Sequence, residues 1–100
     1  MSEHTKLIYK YAFPLEAVSS RVGFHLPAGA KILSVGNQDE SLCVWAVVDT
    51  SPGHLYEWRI LAVAGTGHQP PLSDSAVFLG TVLFGGGQLV LHVFDMGCEP

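Results

Sequence analysis

Charge, cysteine and long apolar runs are all scarce in this 100-residue chain, and each shortage excludes a class of protein. Charged residues make up only 14%, and five lysines and arginines stand against nine acidic residues, for a net charge of −4. Binding to nucleic-acid phosphates needs a basic stripe, so we expect no nucleic-acid partner. Two isolated cysteines, Cys43 and Cys98, are a poor framework for a secreted disulfide scaffold, which favours a reducing cytoplasm.

No apolar stretch is long enough for a signal peptide or a membrane span, because Lys10 interrupts the run from Leu7 to Phe13. We therefore expect no membrane partner. The chain does have 48% hydrophobic residues, which is enough for one domain with one core. Since so little charge is available for its surface, we expect the domain to associate with further copies as a homo-oligomer.

Alternation of apolar and polar residues predicts strands, and the longest helical candidate, Leu15–Ser20, is about one turn. The chain has no helical segment long enough to form the crossover connections that a parallel sheet requires. We predict an all-β fold, a single small antiparallel sandwich or a partly open barrel of about seven strands, over residues 7–95, with flexible ends at 1–6 and 96–100. The predicted strands are Leu7–Tyr11, Arg21–Leu26, Ile32–Val35, Leu42–Val48, His54–Ala64, Val77–Phe84 and Gln88–Asp95.

Side chains that carry chemistry show no recognisable catalytic or metal-binding pattern. No two of the five histidines have the i, i+2 or i, i+4 spacing of a preorganised metal site. His92 lies in an alternating strand, which favours a histidine that is hydrogen-bonded on the face of a sheet over a metal ligand. No Gly-x-Ser-x-Gly motif is present, and the carboxylates have no evident partners. We therefore predict no catalytic residue, no metal site and no cofactor, and expect a protein that is not an enzyme.

The longest predicted loop, Gly65 to Ser75, begins with Gly65-Thr66-Gly67-His68. Backbone amides beside glycines approach a phosphate closely, and His68 adds a donor when it is protonated. The loop matches neither the P-loop nor the dinucleotide-binding fingerprint, because no lysine and no helix follow the glycines. A plain turn, in which Thr66 and His68 satisfy loop amides, explains the segment as well.

Arg59 and the two tryptophans complete the ligand site that this loop suggests. If a small anionic ligand binds at Gly65, Thr66, Gly67 and His68, we expect Arg59 to offer a bidentate contact to it. Trp45 or Trp58 would supply an aromatic plane for a base, within the chain or across a subunit interface. Partial burial under a loop or at a subunit contact explains the tryptophans equally well.

Seven short fragments form a recognisable pattern in their order along the chain. They are Ile8-Tyr9-Lys10-Tyr11, Leu26-Pro27-Ala28-Gly29-Ala30-Lys31-Ile32-Leu33, Gln38, Val44-Trp45-Ala46-Val47-Val48-Asp49, Gly65-Thr66-Gly67-His68, Leu79-Gly80-Thr81-Val82 and Leu91-His92-Val93-Phe94. Together they resemble a family of small domains of unknown function, DUF7352, found largely in bacteriophage and prophage genomes. The resemblance covers Leu7 to Asp95 and implies a viral origin and a cytoplasmic setting in the host, without any established chemistry.

The resemblance makes a phage-encoded accessory protein the expected function. Such a protein would act by binding, as a counter-defence factor that sequesters a small nucleotide signal or inhibits a host protein; this rests on analogy with other small phage proteins. The alternative from another class is a minor virion or assembly protein with a purely structural role.

Overall fold

Seven strands in two antiparallel sheets make up the computed structural model, which describes residues 5–98. The expected flexible residues at 1–4 and 99–100 lie outside the described part. Between the strands are two short 3-10 turns, Leu15–Ala17 and Gly85–Gly87, and no helix within residues 5–98 is long and apolar enough to cross a membrane. The strands are β1 Lys6–Pro14, β2 Arg21–Pro27, β3 Lys31–Gln38, β4 Ser41–Asp49, β5 Tyr56–Gly65, β6 Val77–Phe84 and β7 Leu89–Cys98.

The first sheet has the strand order β1-β4-β3 and the second has the order β2-β5-β7-β6. The two sheets do not close on one another, so the fold is the predicted sandwich and the partly open barrel is not formed. Strand β3 lies along β6, where the two sheets approach each other at one side. Strand β1 is the outer strand of the first sheet at the opposite side.

Alternation along β4 shows how the sequence builds the core. Leu42, Val44, Ala46 and Val48 are almost fully buried between the sheets, while Trp45, between them in sequence, lies on the outer face. The same period gives the other sheet its inner face. The buried residues contributed by β2, β5, β6 and β7 are Val22, Phe24, Leu26, Leu61, Val63, Val82, Phe84 and Val93.

Several strands are longer than the alternation predicts. β1 continues through residues 12–14 and ends at Pro14, and β3 and β7 continue into polar residues or glycine. β3 continues to Gln38, and a two-residue turn of Asp39 and Glu40, both with positive φ, joins it to β4. β7 continues past Asp95 to Cys98, so residues 96–98 are part of a strand rather than a flexible tail. Gly97, at φ 86°, donates its amide hydrogen to Asp95 where the β5–β7 register shifts.

The long loop that joins β5 to β6 must cross β7. Both strands are antiparallel to β7 and lie on either side of it, so they run parallel to each other and no hairpin can join them. The loop leaves β5 at Gly65, opposite Leu91, and enters β6 at Val77, opposite Asp95. This topology explains why eleven residues without a repeating pattern separate the two strands.

Candidate functional site

The tetrapeptide Gly65 to His68 forms a tight turn at the end of β5. The amide of His68 donates to the carbonyl oxygen of Gly65 at 3.0 Å, and Gly67 has a φ of 90°, so the turn has the form that places glycine at its third position. The His68 ring lies beside Gly65, where a Cβ would stand 3.2 Å from its Cδ2 atom. No turn or loop backbone hydrogen bond among residues 5–98 has the amide of Thr66 or Gly67 as its donor, and neither residue lines the cleft beside the turn.

A histidine on β7 holds this turn in place. The Thr66 hydroxyl lies 2.8 Å from Nε2 of His92, and the Thr81 hydroxyl of β6 lies 2.9 Å from Nδ1 of the same ring. Both ring nitrogens are therefore hydrogen-bonded, which agrees with the expected sheet-face role of His92. The turn interpretation expected the Thr66 hydroxyl to bond to a loop amide, but the hydroxyl pairs with the His92 ring instead.

The turn borders an open cleft of about 360 Å³ at the end of the sandwich. Val63, Leu89 and Leu91 give the cleft an apolar wall, and His68 and Gln69 stand at its side as polar groups. Val63 and Leu91 lie on the inner face of their sheet, where Val63 belongs to the core and Leu91 packs against it. The pairing of β2 with β5 ends at Arg21, opposite Ala62, and the cleft opens beside the end of β5 that follows. The volume of the cleft is within the range of small-ligand sites.

Arg59 is not part of this cleft. It lies six residues before Gly65 on β5, or roughly 20 Å along the strand, and only 7% of its surface is exposed. Its guanidinium donates to Glu57 through Nε at 2.9 Å, to Asp95 through Nη1 at 3.0 Å and to the Ala30 carbonyl oxygen through Nη2 at 2.8 Å. With a second bond from Nη2 to Glu57, these partners take four of the five guanidinium N–H groups. Within one chain Arg59 therefore has a structural ion cluster in place of the expected contact to a ligand at the loop.

The electrostatics of this cluster favour its charged form. Burial of Glu57 favours the neutral acid, but hydrogen bonds from the Cys98 thiol, Arg59 and the Gly29 amide outweigh it and hold the pKa of Glu57 below its usual range. Burial likewise opposes the charge of Arg59, and the two carboxylates more than compensate, so the pKa of Arg59 is raised. The guanidinium is therefore a fixed positive charge shared by two acidic side chains.

The two tryptophans lie on the outer faces of different sheets, and neither meets the loop. Trp45 of β4 lies across Gly36 of β3, and Trp58 of β5 lies across Gly23 of β2, at the opposite end of β5 from Gly65. Trp58 also packs against the His25 ring at a centroid distance of 4.8 Å. Each ring uses the space above a glycine that has no side chain, so the expected stacking plane beside the loop is not formed within the chain.

Comparison with known protein families places these features in a group of related sequences. A family model described as a domain of unknown function, DUF7352, matches residues 4–99. The chain belongs to the DUF7352 family. No curated protein and no solved structure shows significant similarity to it. Since the match covers nearly the whole chain, the cleft and the Arg59 cluster both lie within the family domain.

Sequence reasoning located the turn of this DUF7352 domain but missed most of the cleft beside it. The structure brings Gly65 and His68 together with Ser20, Leu89 and Leu91, three residues that had no functional assignment. Strand alternation alone could have placed Leu91 on the inner face. Among residues 5–98, no three histidine, cysteine, aspartate or glutamate side chains come close enough together to hold a metal ion.

Proposed function

We propose that this protein is a non-catalytic binding protein that takes a small anionic ligand with an apolar or aromatic body, of the nucleotide class, in the cleft beside Gly65 to His68. The observation that carries the proposal is the coincidence of the turn with the cleft. The His68 ring and the Gln69 side-chain amide, which both line the cleft, supply donors for an anionic group. The apolar wall of Leu89 and Leu91 suits the flat face of a base.

The charge of the chain makes these local donors important. With a net charge of −4 the protein has no general field that attracts an anion, so affinity must come from the few groups at the cleft. Removing one charge-assisted hydrogen bond costs about 1.5 to 3 kcal/mol, which corresponds to about ten- to a hundredfold in Kd.

A thermal-shift screen of the purified protein against mono-, di- and cyclic nucleotides tests the proposal, with adenosine and inorganic phosphate as partial ligands. A ligand that binds only the folded state raises the melting temperature, by an amount that grows with its concentration above Kd. His68→Ala should weaken the binding of any nucleotide found. Leu72→Ala is the matched control, because Leu72 lies in the same loop, is 82% exposed and does not line the cleft. If no nucleotide raises the melting temperature, or if both variants bind equally well, the cleft is not a nucleotide site.

The setting of this function is part of the proposal and rests on the resemblance to phage and prophage sequences. In an infected bacterial cytoplasm, a protein that sequesters a nucleotide signal would counter a host defence. A phage lacking the coding sequence should then grow less well on hosts that use such signals, and equally well on hosts without them. Equal growth on both hosts would contradict this setting and leave the ligand site itself unaffected.

A further inference from the structure

The outer edge of β1 has no neighbouring strand and is separate from the cleft. β1 is the outer strand of its sheet, nine residues long, and it pairs with β4 without a register shift. All five residues from Lys6 to Lys10 are exposed, including 63% of Ile8 and 44% of Tyr9. An unbroken, exposed strand edge is a template for a further strand.

The other sheet edges are less suitable for such pairing. Strands β3 and β6 lie along each other, both contain a bulge, and the Asn37 side-chain amide of β3 donates to the Leu83 carbonyl oxygen of β6 at 2.9 Å. Strand β2 has only seven residues, against nine in β1. Within residues 5–98, β1 is therefore the longest edge that is free of bulges.

Hydrogen bonding at the start of β1 shows which of its backbone groups face outward. The amide of Thr50 donates to the carbonyl oxygen of Thr5 at 2.7 Å, and the β1–β4 register places these two residues opposite each other. In an antiparallel pair, hydrogen-bonded and non-hydrogen-bonded positions alternate. The odd-numbered residues of β1 therefore bond to β4, and the amide and carbonyl groups of Lys6, Ile8 and Lys10 point to the free edge.

The same alternation gives the edge a chemical pattern. Lys6, Ile8 and Lys10 share the outer face of the sheet, since Leu42, Val44, Ala46 and Val48, which pair with the odd-numbered residues of β1, face the core. Leu7 and Tyr9 share the inner side but remain about half exposed. A strand added here would meet Lys6 and Lys10 on one face and apolar side chains on the other. The Lys10 ammonium donates to the Gln38 side-chain oxygen of β3 and would exchange this partner for an acidic one.

We propose that β1 binds an extended segment of another protein in which acidic and apolar residues alternate, by adding it as a fourth strand to the first sheet. The acidic side chains would lie beside Lys6 and Lys10, and the apolar ones beside Leu7 and Tyr9. Backbone pairing supplies affinity and the alternate side chains supply specificity. Lys31 of β3 adds a third positive charge on the same outer face, in a chain that has only five lysines and arginines.

A second copy of the chain is a poorer occupant because of these charges. Two β1 strands paired about Ile8 would place Lys6 of each copy opposite Lys10 of the other, and like charges directly opposite each other destabilise a sheet. Lysines on an edge strand are a known device against self-pairing. An acidic segment turns the same lysines into an attraction.

The test uses a fluorescent peptide in which glutamate and valine alternate, a scrambled peptide of the same composition, and a peptide in which lysine and valine alternate. Fluorescence anisotropy should show saturable binding of the glutamate peptide alone to the parent protein. The double variant Lys6→Glu/Lys10→Glu should bind this peptide at least about tenfold more weakly and should now bind the lysine peptide. Arg21→Glu lies on β2 and changes the net charge as much as Lys6→Glu alone, so this pair of single variants controls for net charge. Arg21→Glu should retain most of the affinity, and Lys6→Glu should weaken binding.

Amide hydrogen exchange gives an independent measurement of the binding mode. The glutamate peptide should slow exchange at Ile8 and Lys10, whose amides face the free edge, and leave Tyr9, already bonded to β4, unchanged. Ile8→Pro removes one outward donor from an edge position that tolerates proline, and it should abolish binding. Absence of peptide binding to the parent, binding that the lysine reversal does not change, or protection of Ile8 in a dimer without peptide would each overturn the proposal.

Discussion

The Arg59 cluster provides the strongest stability prediction, because one guanidinium neutralises two carboxylates in a largely buried position. Arg59→Met keeps most of the side-chain volume and leaves Glu57 and Asp95, whose side chains are 17% and 18% exposed, without a cation. Removing one partner of a fully buried ion pair costs about 3 to 5 kcal/mol. The remaining exposure of the carboxylates lets water screen them, so we expect the free energy of unfolding to fall by about 3 kcal/mol.

Urea unfolding followed by tryptophan fluorescence measures this loss. A domain of this size has a free energy of unfolding of about 5 to 15 kcal/mol, so the variant should have a clearly lower midpoint and a melting temperature lower by more than about 10 °C. Arg21→Met is the matched control, because Arg21 is exposed on β2, and it should change the free energy by no more than about 0.5 kcal/mol. A loss below about 1 kcal/mol for Arg59→Met would refute the reasoning, since the carboxylates would then be well solvated without their cation.

The pH dependence distinguishes lost charge pairing from lost packing. Since the folded pKa of Glu57 is lowered, its contribution to stability is complete above the unfolded pKa of about 4.3 and is lost as the pH falls through the folded value. Without Arg59 the part of this contribution that comes from its hydrogen bond and charge is absent at every pH, while the hydrogen bonds from Cys98 and Gly29 remain. The difference between parent and variant should therefore be greatest at neutral pH and shrink below about pH 4. A difference that does not change with pH would show that packing, not charge, determines the effect.

Four further changes test other contacts. Gly23→Ala should cost about 1 to 3 kcal/mol and shift the tryptophan emission, because the new Cβ would stand 2.4 Å from the ring above it; Gly36→Ala, with 3.3 Å to its nearest ring atom, should cost less. Thr81→Val removes one hydrogen bond from His92 and should cost about 1 kcal/mol in thermal unfolding, with faster amide exchange in the turn that His92 holds. Asp39→Asn should stabilise the protein by about 0.5 kcal/mol in urea unfolding, because asparagine adopts positive φ more readily.

Sequence reasoning identified the fold more completely than the site, and the reason lies in the range of the interactions involved. Alternation along a strand such as Leu42–Val48 is a local property, because each side chain faces the core or the solvent according to its position in the strand. All seven strands and the sandwich were therefore predictable. The ends of the strands were less predictable. The polar run at residues 37–40 suggests a four-residue turn, but the positive φ of Asp39 and Glu40 confines the turn to these two residues.

The site depended on contacts between residues far apart in sequence. Arg59 beside Trp58 looked suited to a ligand, because nothing local shows that Asp95, 36 positions later, provides its partner. The cleft combines Ser20, which precedes β2, with the end of β5 and with Leu89 and Leu91 of β7, and nothing local in the sequence shows that these segments meet. Only the turn itself, with its glycine at the third position, had a local signal strong enough to identify.

The crossing of β7 by the β5–β6 loop also determines the order in which the protein can form during synthesis. β5 and β6 are neighbours in the chain, but neither pairs with the other, and both await a strand that leaves the ribosome after them. Until β7 emerges, the nascent chain holds β2 paired with β5 and an apolar β6 that has no partner in its own sheet. Exposed strands of this kind are open to aggregation or to chaperones. We therefore expect the second sheet to be completed only after β7 has been synthesised, when β7 inserts between two strands that are already present.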